Sequence, residues 1–260
     1  MNDPDDPGVG RDGVGGSLLL PLPAASSELT PFEVQVPEPA VNDLHSRLRS
    51  VRWPEKELVS DWTQGVPLSE LQDLIVYWRD GYDWRRLEAE INALPNYRTE
   101  LDGLGIHLIH VRSSNADALP LLLTHGWPGS VVEFLDTVGP LVDPARHGGN
   151  VEDAFHLVIP SLPGFGFSDR PRERGWNHVR IARTWAELMR RLGYGERWVA
   201  QGGDWGSGIV HVLAKLKPEG LRPVHTNWPQ VVPAEKQDAM TSEEKRAWDQ
   251  VIQFRSVDNG

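Results

Sequence analysis

A change of hydrophobic period near residue 99 limits the fold of this chain more than any other feature. From Pro37 onward Val41, Leu44, Leu48 and Val51 fall on one helical face. "RWPE" at Arg52–Glu55 interrupts that pattern. A second helix is expected to open at Ser69, with Gln72 at capping-box spacing and Leu71, Leu74, Ile75 and Trp78 as its apolar stripe. Beyond it, "YRTELDGLGIHLIHVR" sets Asp102-Gly103 between two extended runs, a strong hairpin signal. Short apolar runs then alternate with amphipathic helices. "ALPLLLTHG", "AFHLVI", "RWVAQ" and "LRPVHTN" read as strands. Ile181, Trp185, Leu188, Met189 and Leu192 mark one helix, stopped at Gly193. Ile209, Val210, Leu213 and Leu216 mark another, stopped at Pro218, and residues 234–256 read as helical. Buried strands separated by amphipathic helices imply an α/β fold with a parallel sheet.

Three segments follow. Residues 1–28, rich in Asp, Pro and Gly, are expected to be a disordered tail. Residues 29–98 form a helical N-terminal lobe, and residues 99–260 an α/β core with a small sheet. "SLLLPLPAA" imitates a signal peptide, but the residues before it are acidic and Pro21 cuts the apolar run short. No run approaches the ~18 apolar residues of a membrane span, so the expected location is cytoplasmic. The chain has no cysteine, which excludes disulfides and thiolate sites. A net charge of −11 argues against nucleic acid and anionic membranes as partners.

In open α/β sheets ligands bind beyond the carboxyl ends of the strands. Three stretches are placed there: "HGWPGS" (His125–Ser130), "PSLPGFGFSDRP" (Pro160–Pro171) and "GGDWG" (Gly202–Gly206). The last has the spacing of a nucleophile elbow, a sharp strand-to-helix turn with small residues two before and two after the nucleophile. Its central residue is Asp204, just ahead of a helix whose dipole favours an anion. Asp is also a favoured N-cap, and a lone G-x-D-x-G suits an ordinary helix start as well. "HGWPG" lies where such folds build the other half of an oxyanion hole, with the amides of Trp127 and Trp205 as the expected donors. His125 is assigned a structural role. His107 and His110, at i and i+3 on a strand, face opposite ways and do not form a metal pair. Trp62, Trp78 and Trp185 are expected in the core. Neither a metal nor a cofactor site is expected.

The three motifs in this order, with the helical segment ahead of them, resemble epoxide hydrolases of the microsomal and juvenile-hormone type. The match runs from about residue 30 to about residue 256. The resemblance implies an α/β-hydrolase sheet and a small apolar epoxide as substrate. Asp204 would attack the epoxide to form an alkyl ester, the amides of Trp127 and Trp205 would form the oxyanion hole, and water would release a vicinal diol. It also implies a tight turn with a cis Trp127–Pro128 bond. In the family a cap with two tyrosines, a partner acid and a general-base histidine follow the elbow. After Asp204 this chain has no tyrosine, and its histidines there are His211 and His225. The resemblance therefore implies an incomplete sheet that stops near the start of the cap, with little turnover. Two alternatives stay open: a non-catalytic fragment or interaction module, and a haloalkane dehalogenase, which also uses an aspartate elbow.

Overall fold

The computed structural model describes residues 29–229 and 240–253. The expected N-terminal tail, and part of the expected last helix, lie outside the described residues. Two compact units are distinguished, one ending at Asn227 and one from Trp228 onward.

The first unit is built on a seven-stranded mixed sheet in the order β1-β2-β3-β5-β4-β6-β7. The strands are β1 (Thr30–Pro31), β2 (Asn96–Leu101), β3 (Leu104–Val111), β4 (Leu119–Thr124), β5 (Phe155–Pro160), β6 (Trp198–Gly202) and β7 (Leu221–Thr226). Asp102 and Gly103, at φ of 52° and 73°, close the β2–β3 hairpin. Positive φ at both turn residues matches the right-handed strand twist, which is why Asp-Gly serves here. The run from β5 through β4 and β6 to β7 is parallel. This is an α/β fold, and its sheet is larger and more mixed than the alternation suggested. β5 pairs with β3 and β6 with β4, neither its sequence neighbour, and periodicity carries no such information.

The helices of this unit are α1 (Glu38–Arg49), α2 (Leu68–Asp80), α3 (Trp84–Asn92), α4 (Leu135–Val142), α5 (His178–Arg191) and α6 (Asp204–Leu216), of which α3 and α4 pack on one face of the sheet and α5 and α6 on the other. Side chains alternate across a strand, so neighbouring residues go to opposite cores. Leu108, Leu122, Val158 and Ala200 pack with Trp185, Leu188 and Met189 of α5 and Ile209, Val210 and Leu213 of α6. Ile109, Leu121, Leu123, Leu157 and Ile159 pack with Ile91 of α3 and Val138 and Val142 of α4. The strands are thus held between two apolar layers. That explains their unbroken apolar runs.

The helical segment departs from expectation. α2 begins at Leu68 with Pro67 as its N-cap and no side-chain cap, so Ser69 lies within the first turn. The reason is local: the Leu68 amide donates to Glu57 Oε2 at 2.8 Å, so an upstream carboxylate does the capping. None of α2 is buried, and Leu74 and Trp78 of the expected stripe are exposed. Trp62, on the connection before α2, is exposed too. Only Trp185 of the three expected core tryptophans is in the core.

The second unit contains one described helix, α7 (Ser242–Gln253). It opens with a reciprocal cap. Thr241 N donates to Glu244 Oε2 at 2.7 Å, and Glu244 N to Thr241 Oγ1 at 3.2 Å.

Candidate active site

β6 ends at Gly202, Gly203 caps α6, and Asp204 is the first helical residue. Asp204 has φ of 49°, a left-handed conformation that an L-residue adopts only under constraint. The neighbouring glycines make that turn possible. A Cβ on Gly202 would overlap the Gly206 carbonyl, and one on Gly206 would overlap the Thr124 carbonyl at the end of β4. A Cβ on Gly203 would stand 2.7 Å from Asn227 Oδ1. The helix therefore starts flush against its own strand and the adjacent one, and Asp204 is lifted clear.

The loop after β4 comes to meet it. Trp127 N donates to Asp204 Oδ1 at 2.8 Å, across 77 residues of sequence. Gly126 permits the approach, since a Cβ there would lie 2.6 Å from that same oxygen. The Trp127–Pro128 peptide is cis, as the resemblance implies. Trp205 directly follows Asp204 in the first turn of α6, where amides lack helical acceptors. Trp127 and Trp205 are 63% and 53% exposed, and Asp204 is half-buried.

His125 has the structural part expected of it. Fully buried, it donates from Nδ1 to Gly126 O at 2.9 Å and accepts from Leu162 N on Nε2 at 3.0 Å. Burial first of all lowers its pKa, and the bond to Gly126 opposes that. The neutral ring thus ties "HGWPG" to "SLPGFG". The second loop is a packed support: Ser168 Oγ donates to Ser161 O at 2.8 Å and accepts from His107 N at 3.0 Å. His107 and His110 are buried on β3 with separate partners, Asn96 and Ser161 for one and Tyr194 for the other. Among the described residues no group of side chains could hold a metal ion.

His211 and His225 are both exposed, on α6 and β7, and among the described residues no histidine hydrogen-bonds Asp204. Two residues beside the site went unnoticed in the sequence. His178, at the start of α5, stands 4.8 Å from the Trp205 ring, centroid to centroid, and burial lowers its pKa. Nothing in its surroundings marks it as a site residue. Glu133 reaches back over the Trp127 loop, and its signal was in plain view: Ser130-x-x-Glu133 has capping-box spacing.

Comparison with known proteins bears on the fold and the family. Residues 120–252 match the family described as alpha/beta hydrolase fold. The chain belongs to the α/β-hydrolase fold family. Within it, residues 29–134 of this α/β-hydrolase match the family described as Epoxide hydrolase N terminus. A Stigmatella aurantiaca relative is 57% identical over 89% of this chain and 53% of its own length. Epoxide hydrolase 1 of Sus scrofa is 38% identical over 83% of this chain and 48% of its own. The solved structure of the Aspergillus niger epoxide hydrolase covers 91% of this chain and 62% of its own, with 31% identity and a TM-score of 0.75. Insect juvenile hormone epoxide hydrolases are also among the relatives. This α/β-hydrolase chain spans about half the length of the curated relatives it matches.

Proposed function

We propose that the chain carries the nucleophile and oxyanion hole of an epoxide hydrolase, with Asp204 as nucleophile. The bond from Trp127 N to Asp204 Oδ1 carries the reading. It divides the carboxylate into two unequal oxygens. Oδ1 is held by an amide, while Oδ2 has no partner among the described residues and is free to attack. In the first step Oδ2 bonds to an epoxide carbon, the ring C–O bond breaks, and the departing oxygen takes up a proton. In the second step water attacks the ester carbonyl carbon, the bond from that carbon to the alkyl oxygen breaks as that oxygen takes one proton of the water, the other proton passes to solvent, and a vicinal diol leaves the restored carboxylate. The negative charge of that step develops on Oδ1, where the Trp127 amide already points and the Trp205 amide can join it. Donors placed before charge develops are worth several kcal/mol, on the order of 10²–10³ in rate per donor.

The exposed rings of Trp127 and Trp205 suit a small apolar epoxide. A haloalkane would need the same nucleophile, but the match of residues 29–134 to the epoxide hydrolase N terminus favours the epoxide. Hydrolysis of the ester needs a base within hydrogen-bonding reach of the attacking water, typically worth about 10²–10⁴-fold. With no histidine bonded to Asp204 among the described residues, the first step should outrun the second. Incubation of the pure chain with styrene oxide, read by intact mass, should show one adduct that maps to Asp204 and is absent in Asp204→Asn. A chloroalkane should label far more slowly. Sustained diol formation over many turnovers would show that another group supplies the base. Equal labelling of Asp204→Asn would remove Asp204 from the role.

A further inference from the structure

We infer that His178 is a positioning residue that holds in one orientation the indole of Trp205, the residue after Asp204, and that Gly208 is the notch in α6 that admits the His178 ring. The consequence for substrate selection rests on Asp204 being the nucleophile; the ring contact itself does not.

The glycines around Asp204 do not all serve the elbow. Gly202 and Gly206 face backbone carbonyls, as the turn demands. Gly208 lies one helical turn after Asp204, and what it faces is a side chain from another helix. A Cβ there would stand 2.8 Å from His178 Cε1, 3.0 Å from Nδ1 and 3.2 Å from Nε2. The imidazole thus lies against the bare backbone of α6 with the edge that carries both nitrogens. The same ring stands 4.8 Å from the Trp205 ring, centroid to centroid, tilted by 52°, within the range of favourable aromatic pairs. Trp205 and Gly208 are three positions apart and neighbours on one helical face, so one ring reaches both.

His178 is itself well held. It is the first residue of α5, directly after Asn177, whose side chain accepts from Val179 N and Arg180 N. The helix behind it is buried through Ile181, Trp185 and Leu188. His178 Nε2 is buried with no hydrogen-bond partner among the described residues, so packing and not a bond directs the ring. Burial lowers its pKa, which keeps the ring neutral at pH 7. Trp205 lacks such a base, being 53% exposed in the first turn of α6. An exposed side chain that becomes ordered only when a ligand arrives weakens binding by the cost of ordering it. His178 orders the indole on folding, before a substrate arrives. It also covers one side of that ring, so a flat apolar epoxide is offered only the rest.

The first test is the order of the Trp205 indole N–H, read by NMR as its heteronuclear NOE on the full chain, with the resonance assigned by its loss in Trp205→Phe. In the native protein it should match the backbone of α6, and in His178→Ala and Gly208→Ala it should fall well below it. If His178 serves only as the first residue of α5, its loss changes amide exchange in α5 and leaves the indole as rigid as before. That outcome in folded His178→Ala overturns the inference. A melting cycle tests the notch. Ala in place of Gly inside a helix is stabilising by itself. Gly208→Ala should therefore raise the melting temperature of His178→Ala more than that of the native chain, where the new methyl displaces the imidazole. Equal gains in both backgrounds would show that the ring does not rest on Gly208, and would overturn the inference as well. The third arm is labelling by styrene oxide over a range of concentrations, beside Asp204→Asn. His178→Ala should need roughly two- to tenfold more epoxide to reach its half-maximal rate, while the limiting rate stays near native. Should the native chain not label, the nucleophile reading falls and the first two arms still decide the ring contact. Should it label on Asp204, with His178→Ala saturating at the same concentration, the role in substrate selection falls alone.

Discussion

At the scale of single residues, the site depends on atoms that are absent. Gly206 has the Thr124 and His125 carbonyls where a side chain would go, and Gly202 has the Gly206 carbonyl. Backbone cannot move aside as a flexible side chain can. Gly206→Ala is therefore expected to cost about 1–3 kcal/mol of stability by overpacking, measured by urea unfolding. It should also lengthen the Trp127–Asp204 bond, since α6 must back away from β4. Gly103→Ala makes a useful contrast. Nothing lies near its missing Cβ, and its penalty comes from φ of 73° alone. Its unfolding should shift while the Trp127 amide stays unmoved. The spacing of the glycines around Asp204 was legible in the sequence. Which carbonyl each one accommodates was not, because Thr124 is brought there by strand pairing.

At the scale of elements, α5 shows how a periodic pattern becomes stability. Ile181, Trp185, Leu188 and Met189 are buried against the sheet, while Val179, outside the stripe, is exposed. Leu188→Ala should cost about 2–5 kcal/mol, and Val179→Ala should stay within about 0.5 kcal/mol of native. Chemical denaturation of both variants checks the difference. Asn177 caps the helix, its Oδ1 accepting from Val179 N and Arg180 N at 3.1 Å each. Asn177→Ala should cost about 0.5–2 kcal/mol. It also stands next to His178, so the loss should show as a change in the fluorescence of Trp205. α2 is the opposite case. Its pattern gave the helix, but its expected apolar stripe is not buried, because a period reports that a face exists and not what covers it.

For the whole molecule, acid is the expected weakness. Burial above all pushes His107 and His156 down to about 4 and His110 to about 3, with nearby arginine charge adding to each. In the folded state these rings stay neutral, and in the unfolded chain they take up protons near pH 6.5. The unfolded state then binds more protons, so stability rises with pH through this window. The contribution is fully present above about pH 6.5 and is lost progressively as pH falls toward 4. Melting temperature measured from pH 8 to pH 4 should fall across that range. His110→Phe and His156→Phe should flatten the decline, unless loss of the Tyr194 partner destabilises the first at every pH. The sequence by itself determined the fold class, the hairpin and most strands and helices of the core, and it pointed to the three loops of the candidate site, but it showed neither β1, α3 nor α4. What it did show rests on local sterics and hydrophobic period, which neighbouring residues decide between them. Tertiary structure decided what depends on residues far apart in the chain. It placed β5 between β3 and β4, left Trp62 and Trp78 in solvent, and set His178 against Trp205. It also brought the Trp127 amide to Asp204, a contact that exists only once parallel pairing aligns β4 with β6 at Thr124 and Gly202.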